Sequence, residues 1–422
     1  MIERPCRIEA AAPAWRRALA VAVRLREAGH VAVAVGGAVR DHLLGLPVAD
    51  VDLATDADPD RVLALFPRCL AVGRQFGVVV VVDDDGGHTE VASFRSDRAY
   101  VDGRRPTGID AASEAEDVER RDFTINALVY DPVAGVIRDR VGGLADLEAK
   151  TLRVVGDAAA RLREDRLRVL RGCRFAARLG FTIAPASWSA MCSTSVAGLS
   201  RERIWQELDK ALAHPGRATW WNLVVRSGRA GEVLPPVADA AVPASALDPL
   251  PAEADPDAAT ALLLAAGGVR AEGAAAWLAG EPVARPRQKR LVWILAQAAA
   301  GAAGLLGLGL ADRRRVLQHE AATALLAVIA ARHPGSEATE LSRLLAVERA
   351  AGPFRPLVRA EHLLGLGLRP GKALGEALKW LEDRQLEGQC HNIDEGLELW
   401  RRHGPGHGDG GAPTAPGQTG RR

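Results

Sequence analysis

Two aspartates one residue apart, Asp50 and Asp52, follow a glycine pair, Gly36-Gly37, within the stretch Val31 to Asp52. On a strand, side chains alternate faces, so residues two apart point the same way. Asp50 and Asp52 would then project together, as a divalent-metal site requires. Glycines let the backbone approach an anion closely, and a following helix offers free N–H groups to phosphate. A phosphate cradle beside a carboxylate pair points to metal-assisted chemistry on a nucleoside triphosphate. A lone Gly-Gly is usually a turn, and a lone Asp-x-Asp is usually surface or a cap. The order and spacing of the two together carry the argument.

The elements that must hold these groups are local. Val31 to Val35 is an apolar run that reads as a strand leading into the glycines. The next segment is amphipathic, with Val39, Leu43, Leu44 and Leu46 apolar and Arg40, Asp41 and His42 polar, a short helix that Pro47 ends. Asp50-Val51-Asp52 then opens a second strand. Residues 13 to 29 read as a lead-in helix with Trp15, Leu19, Val23 and Leu25 on one side. Thr55 to Pro59 is a helix-start signal for Arg61 to Phe66. Val78 to Val82 reads as a strand buried on both faces, Asp83 to Gly87 as a hairpin turn, and His88 to Phe94, with Glu90, as the return strand.

Arg95 to Glu119 breaks the pattern. It is polar, lacks a clear period, and carries Gly103, Pro106, Gly108 and the basic pair Arg104-Arg105. It reads either as a substrate-facing loop or as a solvated one. In Arg120 to Leu128, the guanidinium of Arg120 or Arg121 could meet a phosphate, and the carboxylate of Asp122 or the amide of Asn126 a sugar hydroxyl. A helix start with a solvated face fits the same residues.

From Asp157 the chain turns helical. Arg161 to Arg178 holds seven arginines and two acids, Glu164 and Asp165. Asp165, Arg168, Arg171 and Arg174 recur every three residues and would form a winding stripe on one helix. With a formal net charge of only +1, this is a local anion-binding patch on a near-neutral protein. Arg201 to Leu212 reads as a further helix. Residues 216 to 360 are rich in Ala and Leu, and 361 to 401 form another helical module whose Lys372 suits a backbone phosphate or a plain packing corner.

At 422 residues the chain is long enough for several domains. Its five cysteines are scattered without a CxxC pair, which argues against disulfides or structural zinc and fits a reducing cytoplasm. Leu291 to Leu310 is uncharged, but its Gly and Ala content and Gln297 favour buried helices over a membrane span.

In this order the motifs resemble the class II tRNA nucleotidyltransferase and bacterial poly(A) polymerase family, the CCA-adding enzymes and their relatives. The matching pieces are GGAVRD (36–41), DVD (50–52), RRDFTINAL (120–128), GGLADL (142–147), EDRLR (164–168) extended to Arg178, and RERI (201–204) to Glu207. The match is dense from about residue 30 to 212, and returns weakly at 363–378 and 386–389.

The resemblance implies an α+β fold. A mixed-sheet nucleotidyltransferase head of the polymerase beta-like type would span 13–150. A helical neck carrying base recognition would span 151–215, and a helical body and tail binding tRNA 216–403, before a disordered 404–422. It implies that Asp50 and Asp52 are catalytic and hold two Mg2+ ions, with Glu90 as the candidate third carboxylate. Gly37 and Arg40 would contact the nucleotide, and Arg121 and Asp122 its ribose and phosphates. Asp165 and Arg168 would template the base, supported by Arg171 and Arg174. The implied reaction adds CMP and AMP from CTP and ATP to the 3′ end of tRNA, releasing pyrophosphate. Poly(A) synthesis, or CC-only or A-only addition, is the alternative.

Overall fold

The computed structural model describes residues 1–6, 8, 12–70, 77–97 and 109–405. The basic pair Arg104-Arg105 and the tail from 406 lie outside the described residues. The chain divides into two compact units, one of residues 1–248 with 266–268 and 280–283, the other of the remainder. The boundaries expected at 150 and 215 both fall inside the first unit.

The first unit is built on an eight-stranded mixed sheet among the described residues. In chain order the strands are β1 (Ile2–Pro5), β2 (Ala32–Val35), β3 (Asp52–Thr55), β4 (Cys69–Leu70), β5 (Val78–Val82) and β6 (His88–Ser93). After them come β7 (Arg95–Asp97), β8 (Ile109–Ala111), β9 (Val129–Asp131) and β10 (Val136–Asp139). The sheet order is β1-β10-β9-β2-β3-β6-β5-β4, and β7 pairs with β8 separately. Neighbours are antiparallel except β3 and β6, which run parallel with Leu53 opposite Val91.

Central β2 is buried at all four positions, as its apolar run requires. Helix Pro13–Glu27 covers the sheet with Trp15, Ala18, Ala22 and Leu25. Trp15 meets Tyr130 of β9 edge-on at 5.7 Å. Asp58 caps helix Pro59–Leu65 by accepting the Arg61 N–H at 2.7 Å.

Three local expectations change. The five valines of β5 are not buried on both faces: Val79 and Val81 are buried and the alternate ones are half-exposed, because β5 lies one strand from the sheet edge. The stretch read as irregular from Arg95 holds β7, β8 and helix Glu114–Glu119, which is closed by a capping box between Ser113 and Glu116. The arginine-rich stretch is two helices, Ala158–Glu164 and Leu167–Leu179. Asp165 stands between them in extended conformation, with φ −140° and ψ 100°.

The second unit is helical. Arg287 and Arg290 grip Asp257 at the start of helix Pro256–Ala266, and Arg290 also holds Asp255. Val358, Leu363, Leu374, Ala377, Leu381 and Trp400 form its C-terminal core. The uncharged stretch from Leu291 splits between helices Arg285–Ala298 and Gly301–Leu306. Among the described residues, no single helix is long and apolar enough to cross a membrane.

Candidate active site

The phosphate cradle begins where β2 meets helix Gly37–Leu43. Gly36 takes φ 77° and ψ −139°, a conformation essentially reserved for glycine. A Cβ on Gly37 would lie 3.3 Å from Arg40 Nη2, so the bare backbone leaves that guanidinium its place. Arg40 is 2% exposed. It donates through Nε to Asp41 Oδ1 at 2.7 Å and through Nη1 to Asn126 Oδ1. Burial lowers its pKa, and the neighbouring Asp41 carboxylate partly opposes that shift.

Asp50 and Asp52 are exposed on either side of buried Val51. The alternation expected from sequence therefore holds, although β3 itself begins only at Asp52. The parallel β3–β6 register sets Asp52 level with Glu90. Partial desolvation raises the Asp52 pKa, and the charges of Glu90 and then Asp50 raise it further, with Arg121 opposing. Asp52 thus feels the charge of both other carboxylates.

Among the described residues, no three such groups already stand at metal-ligating geometry. Mg2+ is commonly held by one or two carboxylates, with waters and substrate phosphates completing the shell. An all-oxygen cluster with excess negative charge fits a divalent ion of that kind.

Helix Leu167–Leu179 shares a cavity with Asp50 and Asp52. Its Arg171, Arg174, Phe175 and Arg178 line a cavity of about 750 Å3 together with Gly37, Arg40, Asp50, Asp52, Asn126, Lys210 and His214. The Phe175 ring carries three guanidiniums, Arg174 at 4.5 Å, Arg40 at 5.1 Å and Arg171 at 5.3 Å. Buried Glu207 accepts Arg174 Nε at 2.6 Å. Asp122 accepts Arg171 Nε and Nη2 at 2.9 and 2.7 Å. Burial pushes the Asp122 carboxyl up, but Arg171, Asn126 and the Phe123 N–H together hold it below the usual carboxylate range.

Six of the ten residues singled out from sequence line this cavity: Gly37, Arg40, Asp50, Asp52, Arg171 and Arg174. Four do not. Asp122 lies behind Arg171 as its anchor. Arg121 pairs with buried Asp117 at 2.8 Å, and its Nη1 lies 3.6 Å from where a Gly36 Cβ would sit. Asp165 accepts from Arg203 at 2.8 Å and acts electrostatically on Arg171. Arg168 is buried and donates to the Arg161 and Arg120 carbonyls and to Glu164. Sequence reasoning gave no site role to Asp41, Phe175, Arg178, Glu207, Lys210 and His214, and offered the Asn126 amide only to a sugar hydroxyl. Asp41, Asn126, Phe175, Arg178 and Glu207 sit inside stretches that carried the resemblance, so their positions were marked even though their roles were not.

Comparison with known proteins shows what the chain as a whole is similar to. Residues 32–153 match the family model of the poly(A) polymerase head domain. The chain is 43% identical over 219 residues to a CCA-adding enzyme of Geobacillus thermodenitrificans, covering 51% of this chain and 54% of that one. It is 46% identical over 204 residues to one of Streptococcus pyogenes, covering 48% and 50%. The matched stretch thus spans about half the length of these curated relatives. The crystal structure of the Bacillus stearothermophilus CCA-adding enzyme in complex with CTP superposes with a TM-score of 0.75 at 30% identity, covering 93% of this chain and 98% of that one.

Fold and site together define a nucleotidyltransferase head of the poly(A) polymerase type, followed by helices. Within that class, the chain belongs to the family of class II CCA-adding enzymes.

Proposed function

We propose that this protein adds CMP and AMP, from CTP and ATP, to the 3′ end of tRNA, releasing pyrophosphate. The observation that carries the reading is the cavity itself. The carboxylates of Asp50 and Asp52 and the guanidiniums of Arg40, Arg171, Arg174 and Arg178 line one space the size of a nucleotide site. Relatives named for CCA addition, one of them solved with CTP, support it.

In this reading Asp50 and Asp52, with Glu90 beside them, hold Mg2+, two ions by family resemblance. Bound metal would supply Lewis-acid stabilisation of phosphate charge and a more acidic attacking hydroxyl. Gly36-Gly37 leave room for the triphosphate, which Arg40 and Arg178 bind, while Arg121 offsets charge near Asp52. Arg171 and Arg174 orient the nucleotide, anchored by Asp122 and Glu207.

Asp165 and Arg168 read the base. A carboxylate accepts from the exocyclic amine of cytosine or adenine, and a guanidinium donates to a ring nitrogen. Uracil and guanine present a carbonyl where the amine should be, and mispaired buried groups reject them strongly. Base reading requires Asp165 to exchange its Arg203 contact for the base, and Arg168 to release one of its internal acceptors. The helical unit beyond residue 248 holds the RNA.

The test incubates purified protein with tRNA lacking its 3′ end and with each labelled nucleotide. CMP addition followed by AMP addition is expected. Long A tails on generic RNA would instead identify a poly(A) polymerase. No incorporation with Mg2+, or incorporation unchanged by Asp50→Ala, overturns the reading.

A further inference from the structure

A ring of polar contacts runs through the cavity wall and returns to the helix on which it began. Arg171 donates to Asp122 Oδ2. Asp122 Oδ1 accepts Asn126 Nδ2 at 3.1 Å. Asn126 Oδ1 accepts Arg40 Nη1, and Arg40 Nε donates to Asp41 Oδ1. Asp41 Oδ2 then accepts from Arg178 at 3.2 Å. Arg171 and Arg178 are two turns apart on helix Leu167–Leu179, with Phe175 between them.

Asn126 is the neutral member of this ring and is 6% exposed. An amide presents an oxygen to one neighbour and an NH2 to another, which no ionised side chain can do. A carboxylate at this position would face Asp122 with like charge. An ammonium would face Arg40 in the same way. The two neighbours also fix the amide orientation, since only oxygen suits Arg40 and only nitrogen suits Asp122.

We propose that Asn126 is a positioning residue that couples Arg40, on the helix after the glycines, to Arg171, on the arginine-rich helix, and so sets the separation of the two guanidiniums. The inference rests on the nucleotide reading of the cavity. Asn126 lines the cavity, but its recorded amide contacts turn to protein partners rather than to the open space. Arg40 and Arg171 stand on separate elements, and both pack on Phe175. Guanidinium recognition of phosphate depends on pre-set orientation, so a fixed separation favours binding before chemistry.

The test uses the full chain with Asn126→Asp, and with the exchanged pair Asp122→Asn plus Asn126→Asp. The single variant keeps an acceptor for Arg40 and loses the donor to Asp122. It should weaken CTP binding about tenfold, the scale of one lost charge-assisted hydrogen bond, with kcat at saturation changed less. The exchanged pair restores a donor and an acceptor between the two positions in reverse order, and should recover most of that affinity. A merely structural role would lower thermal stability and kcat together, and the exchange would make both worse.

Side-chain NMR supplies a readout independent of ligand. Arg171 Nε–H exchange should accelerate in Asn126→Asp while Arg40 Nε–H stays protected. Absence of CTP binding by the unmodified protein would sink the nucleotide reading, yet the exchange rates would still decide the coupling. Unchanged Arg171 exchange, or an exchanged pair without recovery, overturns the proposal.

Discussion

Asp52 and Glu90 stand level on neighbouring parallel strands, and the Glu90 charge adds to the desolvation that makes a negative charge on Asp52 harder to hold. The folded protein therefore binds a proton at Asp52 more readily than the unfolded chain does. Stability from this group is present at low pH and lost as pH rises through the raised folded value. Asp52→Asn should raise the melting temperature at neutral pH in metal-free buffer while lowering activity roughly a thousandfold or more, the scale of a lost transition-state contact. Added Mg2+ should stabilise the unmodified protein and do so less for Asp52→Asn. Calorimetry with and without Mg2+ checks both, and equal stabilisation of the two proteins would exclude Asp52 as a ligand.

Asp117 has the opposite electrostatics. It is 2% exposed, with Arg120 at 2.6 Å and Arg121 at 2.8 Å. Burial alone would push its carboxyl up, but the two guanidiniums hold it below the usual range. Stability from Asp117 is thus present above the ordinary aspartate pKa, near ~4, and lost as pH falls through the depressed folded value. Asp117→Ala should cost about 3–5 kcal/mol in urea unfolding, because it removes the buried carboxylate that pairs with both Arg120 and Arg121. The loss should shrink in acid.

The two adjacent glycines should fail in different ways. Gly36→Ala forces a side chain into φ 77° and should cost about 1–3 kcal/mol in stability. Gly37 has no such strain. Its Cβ would press Arg40 Nη2 at 3.3 Å, and Asp41 and Asn126 restrain that guanidinium from yielding. Gly37→Ala should cost less stability than Gly36→Ala and raise KM for the nucleotide. Unfolding curves and steady-state kinetics on both variants separate the effects.

Glu207 holds Arg174 directly and Arg171 at 3.9 Å. Glu207→Ala should cost about 3–5 kcal/mol, since it leaves a buried guanidinium unpaired. Glu207→Gln keeps an acceptor for Arg174, and should retain the fold while weakening nucleotide binding. Equal loss of stability in both variants would show that the charge, rather than the hydrogen bond, holds the helix.

Sequence made visible whatever is encoded over a few neighbouring residues. The β2–glycine–helix–β3 segment is periodic and punctuated, and the structure reproduces it element by element. Ser113 and Glu116 are a local signal as well, and could have revealed the helix inside the stretch read as irregular. Pairing across the chain was not visible. Glu90 meets Asp52 only through a parallel register, and Asn126 gains meaning only between Asp122 and Arg40. The break at Asp165 was hidden because the arginine spacing continues through it, although the backbone turns aside. Arg168 looks like an exposed stripe residue by spacing, yet tertiary acceptors have taken its donors.

The arrangement of Arg171 on Asp122 and Arg174 on Glu207 also constrains how this surface can change over generations. A single replacement of either arginine alters the cavity wall and, in the same event, leaves an acid without its partner inside the protein. A viable change on either side therefore has to supply a substitute for the missing partner, as an amide in place of Glu207 would for Arg174. Every replacement on this part of the cavity is in that sense also a change to the folded interior.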